Sequence, residues 1–196
     1  MKKFPITLYP TVTPNPNTIK FMADKYLLQP EEDSVDFRTL EEAKDNSPLA
    51  VKLFEHFPYI TGVFIERNFI SISKNEEEMP WDYLTPEVRG FIHHYIVNGN
   101  EIVNLSPKEK NEKKVNFESS PLDSKIKDLM KQFVDEPVRG DGGKIEFQSY
   151  KDGVVTVVLK GACVGCPARN KTLKQGIEDI LKSHIPEIKE VIASNG

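Results

Sequence analysis

At 196 residues, the chain is long enough for one medium-sized domain or two small ones. Its 26 basic and 30 acidic residues leave a formal charge of −4, which gives no basic excess for binding nucleic acid or anionic lipid. No apolar run approaches the roughly 20 residues that cross a bilayer, and no apolar stretch typical of a signal peptide follows Met1, so we expect a soluble, intracellular protein, most simply a cytoplasmic one without membrane contact.

The first half of the chain has the pattern of a small α+β domain, which we place at residues 1–103. Residues 6–12 and 18–28 predict extended segments on either side of a turn rich in proline and asparagine. Residues 60–73 predict a β-hairpin, because β-branched and aromatic residues flank a short polar pair.

Two helices are expected in the same domain. Ser47 and Pro48 provide a cap and a first helical position for a short helix. Thr85 and Pro86 predict the start of a longer one, in which apolar residues recur on one face until Gly99, where a helix commonly stops.

A charged, polar stretch separates this domain from the rest of the chain. Residues 104–120 read NLSPKEKNEKKVNFESS and offer too few apolar side chains for a core, so we interpret them as a linker. The second domain then spans residues 121–196, and it opens with a helix whose apolar stripe contains Leu122, Ile126, Leu129, Met130, Phe133 and Val134.

With this first helix, the second domain predicts the order α-β-β-α-β. Alternating residues from Ile145 onward lead through a turn at residues 151–153 into a run of β-branched residues, which is typical of a hairpin. Pro167 predicts the start of a second helix, and residues 188–192 are short enough for a last strand. We therefore expect an α+β protein of two small domains, the second with a mixed three-stranded sheet covered by two helices.

The only two cysteines, Cys163 and Cys166, are spaced CxxC between the hairpin and the second helix. Without a secretion signal, this spacing favours redox chemistry or metal binding over a structural disulfide framework. Amide groups at a helix start stabilise thiolate, the form that binds metal, and Lys160, Arg169 and Lys171 add positive charge nearby. Soft thiolates select an iron–sulfur cluster, zinc or copper(I) over hard cations.

The number of thiols limits how one chain can bind such a metal or cluster. A [4Fe–4S] cluster and a tetrahedral zinc–sulfur site each usually take four cysteine ligands, and one chain supplies two. A second copy of the chain, related by a two-fold axis, would complete the set. A cluster shared in this way could be released to an acceptor by ligand exchange, which suits a carrier and not an enzyme.

Three other interpretations of Cys163 and Cys166 remain open from the residues alone: an inert structural pair, a CxxC dithiol-disulfide oxidoreductase and a structural zinc site. The segment at residues 141–143 is first of all a glycine turn. No phosphate-binding loop occurs, and the histidines are assigned no catalytic role.

Two sets of motifs resemble a known family. Asp141-Gly142-Gly143, the hairpin and the GACVGCP segment are similar to the C-terminal domain of the NifU family, usually called the Nfu domain. The segment TPNPNTIKF at residues 13–21, together with Trp81, resembles the N-terminal domain of Nfu-type scaffold proteins. One position departs from the pattern, since the family commonly has an acidic residue where this chain has Lys144.

This resemblance implies assembly or delivery of [4Fe–4S] clusters to apo-proteins, with Cys163 and Cys166 as the ligands. Together with the number of cysteine ligands, it leads us to expect a homodimer when the cluster is bound. The expected partners are upstream cluster-assembly proteins and apo iron–sulfur proteins that accept the cluster.

Overall fold

The protein is represented by a computed structural model that describes residues 5–29, 32–104, 121–166 and 170–195. The chain divides into two units, Met1–Ser106 and Pro107–Gly196, each with its own core. Helices and strands mix in both units, so the α+β class is confirmed. The predicted linker lies outside the described residues apart from Asn104, and the predicted domain boundaries stay predictions.

The first unit contains a five-stranded sheet in the order β1-β2-β5-β4-β3, in which every neighbouring pair is antiparallel. Its strands are Leu8–Val12 (β1), Thr18–Ala23 (β2), Val35–Phe37 (β3), Ile60–Glu66 (β4) and Phe69–Lys74 (β5). Its helices are Leu40–Ala43 (α1), Pro48–His56 (α2) and Trp81–Val97 (α3). The hairpin predicted at residues 60–73 is formed by β4 and β5, whereas β2 ends five residues before the predicted limit at residue 28.

Helix α2 begins as the sequence predicts. Ser47 is its N-cap, and the side-chain oxygen accepts a hydrogen bond from the Ala50 amide at 3.1 Å. The same hydroxyl donates a hydrogen bond to the carbonyl of Ile102 at 2.6 Å, so the N-cap residue also connects α2 to the segment that follows α3. Pro48 occupies the first turn, where its missing N–H costs nothing.

The predicted start of α3 at Thr85 and Pro86 is wrong. The helix begins four residues earlier, at Trp81, and Pro86 lies inside it. Trp81 and Leu84 are both buried in the first core, so burying their side chains extends the helix back by one turn despite the proline. The Thr-Pro pair is typical of a helix start, but here tertiary packing outweighs it.

Gly90 gives a direct test of helix propensity in this unit. It is exposed in the interior of α3, and a Cβ added there would meet no atom within 4 Å. We expect Gly90→Ala to stabilise the first unit by about 1 kcal/mol. The only tryptophan, Trp81, belongs to this unit, so its fluorescence during urea unfolding measures the change.

Gly99, at the end of α3, is the matched control. Its φ of 75° lies in the left-handed region, so Gly99→Ala should destabilise the unit. Equal shifts of the unfolding midpoint in both variants would contradict this explanation.

The second unit contains a three-stranded sheet in the order β6-β7-β8. Its strands are Gly143–Lys151 (β6), Val154–Gly161 (β7) and Glu190–Asn195 (β8), and its helices are Pro121–Phe133 (α4), Asp135–Gly140 (α5) and Asn170–His184 (α6). β6 and β7 are antiparallel and β8 is parallel to β7, which confirms the predicted mixed sheet. The predicted helix start at Pro167 lies outside the described residues, β8 begins two residues later than predicted, and α5 was not predicted.

Alternation along β7 decides which side of this sheet is buried. Val155, Val157 and Leu159 lie in the second core together with Ile126 of α4 and Ile177 of α6, so this inner face packs against the helices. The intervening residues of β7 face outward and are half-buried. No helix within the described ranges has the length and apolar character needed to cross a membrane.

Candidate metal centre

Cys163 and Cys166 lie in a short segment that follows the β6–β7 hairpin. Asp152 and Gly153, both with positive φ, form the two-residue turn that joins these strands. The strands pair as far as Gly143 and Gly161, after which the chain enters the cysteine loop, residues 162–166. Neither cysteine forms a disulfide, and both are buried, with 8% of Cys163 and 1% of Cys166 exposed.

Gly143 makes room for the first of these thiols. A Cβ added to Gly143 would overlap the Cys163 sulfur and would lie 3.0 Å from the Lys160 carbonyl oxygen and 3.1 Å from the Cys163 nitrogen. Contacts under 3.0 Å essentially never occur for real Cβ atoms, and those of 3.0–3.4 Å are tighter than nine in ten. Only glycine therefore allows the sulfur to occupy this position.

Backbone hydrogen bonds shape the first part of the cysteine loop. The Ala162 amide donates to the Gly142 carbonyl at 3.1 Å, which ties the loop to the turn before β6. The Val164 amide donates to the Gly161 carbonyl at 3.2 Å. Gly142, Gly161 and Gly165 all have positive φ, 82°, 61° and 67°, so glycines set the path of the chain on both sides of Cys163.

Lys160, expected to add positive charge near the thiols, has its side chain on the other face of the sheet from the Cys163 sulfur. The Cys163 sulfur lies on the inner side of the sheet, beside Gly143, and successive residues of a strand point to opposite faces. Lys160 and its cross-strand partner Lys144 therefore point to the outer face. Arg169 lies outside the described residues, as does the side chain of Lys171.

Glu146 holds the two lysines of the outer face together. Its carboxylate accepts from the Lys160 ammonium at 2.6 Å and from the Lys144 ammonium at 3.0 Å. Like charges directly opposite each other destabilise a sheet, so this carboxylate offsets a repulsion at the base of the cysteine loop. Lys144, the position that departs from the family pattern, has an ion-pair partner within the hairpin itself.

The Glu146 carboxyl should make the stability of the hairpin depend on pH. Burial acts to raise its pKa, but hydrogen bonds and charges from Lys160 and Lys144 outweigh burial and hold the pKa below the ordinary value of 4.5. A carboxyl whose pKa is depressed by folding contributes stability above its unfolded pKa, and that contribution is lost as the pH falls through the folded value.

We therefore expect Glu146→Gln to speed hydrogen exchange of residues 143–161 at neutral pH. The exchange rates of the variant and the parent chain should become equal well below pH 4.5. Glu187→Gln, at an exposed position of the same unit, is the charge-matched control. A difference that stays constant across the acid range would contradict the role given to Glu146.

The donor atoms of the site are two thiols from one chain. Among the described residues, no group of three or more histidine, cysteine, aspartate or glutamate side chains could hold a metal ion. Two thiolates, one of them held in the position that the missing Cβ of Gly143 leaves, fit part of the ligand set of a soft metal or an iron–sulfur cluster. The exposed histidines, which lie apart from this loop in the sequence, are His56, His93, His94 and His184.

The sequence pointed to the cysteines but missed how closely Gly143 approaches one of them. Residues 141–143 were interpreted mainly as a turn, and Gly142 indeed has the positive φ that a turn requires. Gly143 is needed for a different reason, the approach of a residue 20 positions later in the chain. The two adjacent glycines were the only signal, because one turn glycine would have sufficed.

Comparison with known proteins matches both units. The family described as "Scaffold protein Nfu/NifU N terminal" matches residues 8–99, and the family described as "NifU-like domain" matches residues 126–192. The human protein named "NFU1 iron-sulfur cluster scaffold homolog, mitochondrial" is 33% identical over 179 residues, which cover 91% of this chain and 68% of that protein. A NifU-like protein of Schizosaccharomyces pombe is 33% identical over 183 residues, which cover 92% of this chain and 69% of that one.

A solved structure is also similar to part of the chain. The solution NMR structure of a NifU-like protein from Saccharomyces cerevisiae covers 54% of this chain and 89% of its own, at 21% identity and a TM-score of 0.45. Both units match in order, and a human relative is 33% identical across 91% of the present chain. This chain therefore belongs to the Nfu/NifU family of scaffold proteins.

Proposed function

We propose that this chain carries a [4Fe–4S] cluster, bound by Cys163 and Cys166 of two copies, and passes it to apo-proteins. The observation that carries the proposal is a pair of thiols not joined in a disulfide, Cys163 beside Gly143 and Cys166 three residues later, in a chain that has no other cysteine. Membership of a scaffold family supports it, as does the human relative that is named as an iron–sulfur cluster scaffold homolog.

Two copies are proposed because one chain supplies half of the ligands. A [4Fe–4S] cluster usually takes four thiolates, and the chain has two cysteines three residues apart. A two-fold axis near the cysteine loop brings equivalent loops together and completes the set. Because neither chain encloses the cluster with four ligands of its own, an acceptor with a fuller set can take it by exchanging thiolates one at a time.

The two units would have separate functions. The unit with the cysteines holds the cluster, and the first unit, residues 1–103 in our division, recognises partner proteins. The charged residues 104–120 would act as the linker between them. Upstream cluster-assembly proteins would supply the cluster, and apo iron–sulfur proteins would accept it.

The compartment remains a separate prediction. The human relative is named as mitochondrial, so its name gives no support to the cytoplasmic location expected from the sequence.

Cluster transfer is the experiment that tests the function. The chain is loaded with iron and sulfide without oxygen, separated from free iron, and mixed with an apo-protein that needs a [4Fe–4S] cluster for activity, in the presence of an iron chelator. We expect the acceptor to gain activity at a rate that rises with the concentration of the loaded chain. Activation that the chelator blocks completely would mean that iron is released to solution and not handed over.

The main alternatives use the same thiols. A CxxC dithiol-disulfide oxidoreductase would reduce a disulfide substrate catalytically and would not need iron. A structural zinc site would be colourless. A cysteine-dependent reductase activity in a chain that takes up no iron would favour the oxidoreductase.

A further inference from the structure

The burial of both cysteines raises a difficulty for any bound cluster. Metal–sulfur bonds are about 2.3 Å long, so iron must touch the sulfur directly. Cys166 is 1% exposed and Cys163 is 8% exposed. The arrangement of the cysteine loop is therefore a closed one, and at least Cys166 has to turn outward before a cluster shared with a second chain can reach it.

The backbone on either side of Cys163 is held in place. The Ala162 amide is bonded to Gly142 and the Val164 amide to Gly161. The Cys163 sulfur fills the space left by Gly143 and belongs to the second core. Movement in this part of the loop would break hydrogen bonds and open a gap in the core.

Gly165 differs from its neighbours in both space and conformation. It is exposed, and a Cβ added there would meet no atom within 4 Å. Its φ of 67° lies in the left-handed region, which L-residues other than asparagine and aspartate rarely adopt. Glycine is therefore required at this position by the backbone angle of the closed loop and not by crowding.

We infer that Gly165 is the positioning residue of the cysteine loop: its left-handed backbone keeps Cys166 buried in the metal-free chain, and rotation at Gly165 exposes that thiol to receive iron. The inference rests on the proposed function, because a shared cluster has to reach Cys166 as well as Cys163.

The test uses the reactivity of a single thiol in the full-length, metal-free chain. Cys163→Ser leaves Cys166 as the only cysteine, so iodoacetamide uptake reports that thiol alone. We expect alkylation in the folded chain to be at least about tenfold slower than in the same chain unfolded in urea. Equal rates would overturn the inference, because Cys166 would then not be protected.

Two substitutions at Gly165 distinguish the effect of the backbone angle on alkylation from the effect of side-chain size. Left-handed backbone costs an ordinary L-residue about tenfold in the closed-to-open equilibrium, so Gly165→Val should speed alkylation about tenfold. Gly165→Asn, which tolerates this region, should stay within about twofold of the parent. If Gly165→Val loses the hydrogen-exchange protection of residues 143–161, Gly165→Ala replaces it, with an expected rise of about fivefold, the lower end of the same cost. Equal rates for valine and asparagine would overturn the inference.

A second measurement ties the rotation to loading. In the chain with both cysteines, Gly165→Val should take up iron and sulfide faster in the first minutes than Gly165→Asn does. If Gly165→Val is alkylated faster but takes up iron and sulfide no faster than Gly165→Asn, the role of Gly165 in loading would be overturned. The alkylation result does not depend on iron, so a chain that shows it but takes up no iron would contradict the proposed function and leave the position of Cys166 explained.

Discussion

Substitution of both cysteines, Cys163→Ser and Cys166→Ser together, is expected to abolish the retention of iron and the visible absorption that the parent chain acquires on anaerobic reconstitution. A serine hydroxyl stays protonated at neutral pH and is a poor ligand for a soft metal, so the double variant has no thiolate to offer. Each single variant should also lose the cluster, because in a dimer one substitution removes two of four ligands. Bound iron and sulfide per chain give the measurement.

The fold of these variants has to be checked separately, because Cys163 is part of the second core. Hydrogen exchange of residues 143–161 should remain protected in both single variants, since serine is smaller than cysteine and fits beside Gly143. A double variant that remains folded and still retains a cluster would contradict the assignment of both ligands.

Gly143→Ala is expected to damage the site without touching a ligand. The added Cβ would overlap the Cys163 sulfur, and backbone atoms of Lys160 and Cys163 within 3.1 Å leave it no room to move aside. Overpacking of this kind typically costs about 1–3 kcal/mol of stability. Displacing the sulfur should also weaken cluster binding by about tenfold or more, as loss of a supporting contact around a metal site does. Iron retained at limiting iron and sulfide measures the second effect.

Gly140 provides the matched control for this substitution. It lies three residues before Gly143, at the end of α5, and a Cβ added there would meet no atom within 4 Å. Gly140→Ala should load like the parent chain. The Gly143→Ala effect on stability should also shrink in a Cys163→Ser background, where a shorter side chain faces the new methyl group. Normal loading of Gly143→Ala would show that the position of Cys163 does not matter for binding.

The hairpin that supports the site could be predicted from sequence because each of its signals is local. Alternating residues and an Asp-Gly turn specify β6 and β7, and the structure forms them with that turn. The direction of Lys160 could also have been predicted, because it follows from the same alternation: Leu159 is in the core, so the next residue points away from it.

The features that sequence did not predict depend on contacts between distant residues or on very short elements. β3, α1 and α5 have three, four and six residues, too few for a period to be recognised. Helix α3 extends back to Trp81 because the core accepts that side chain, which no local pattern reports. The requirement for Gly143 likewise arises from a contact with Cys163 across the base of the hairpin.

Native mass spectrometry of the anaerobically reconstituted full chain tests most directly whether two copies share one cluster. The predicted species contains two chains, four irons and four sulfides, which is about two irons per chain. The single-cysteine variants should give only the mass of the metal-free chain. A loaded monomer, or a chain that stays colourless and free of iron under these conditions, would contradict the proposal that two thiolates from each of two chains hold the cluster.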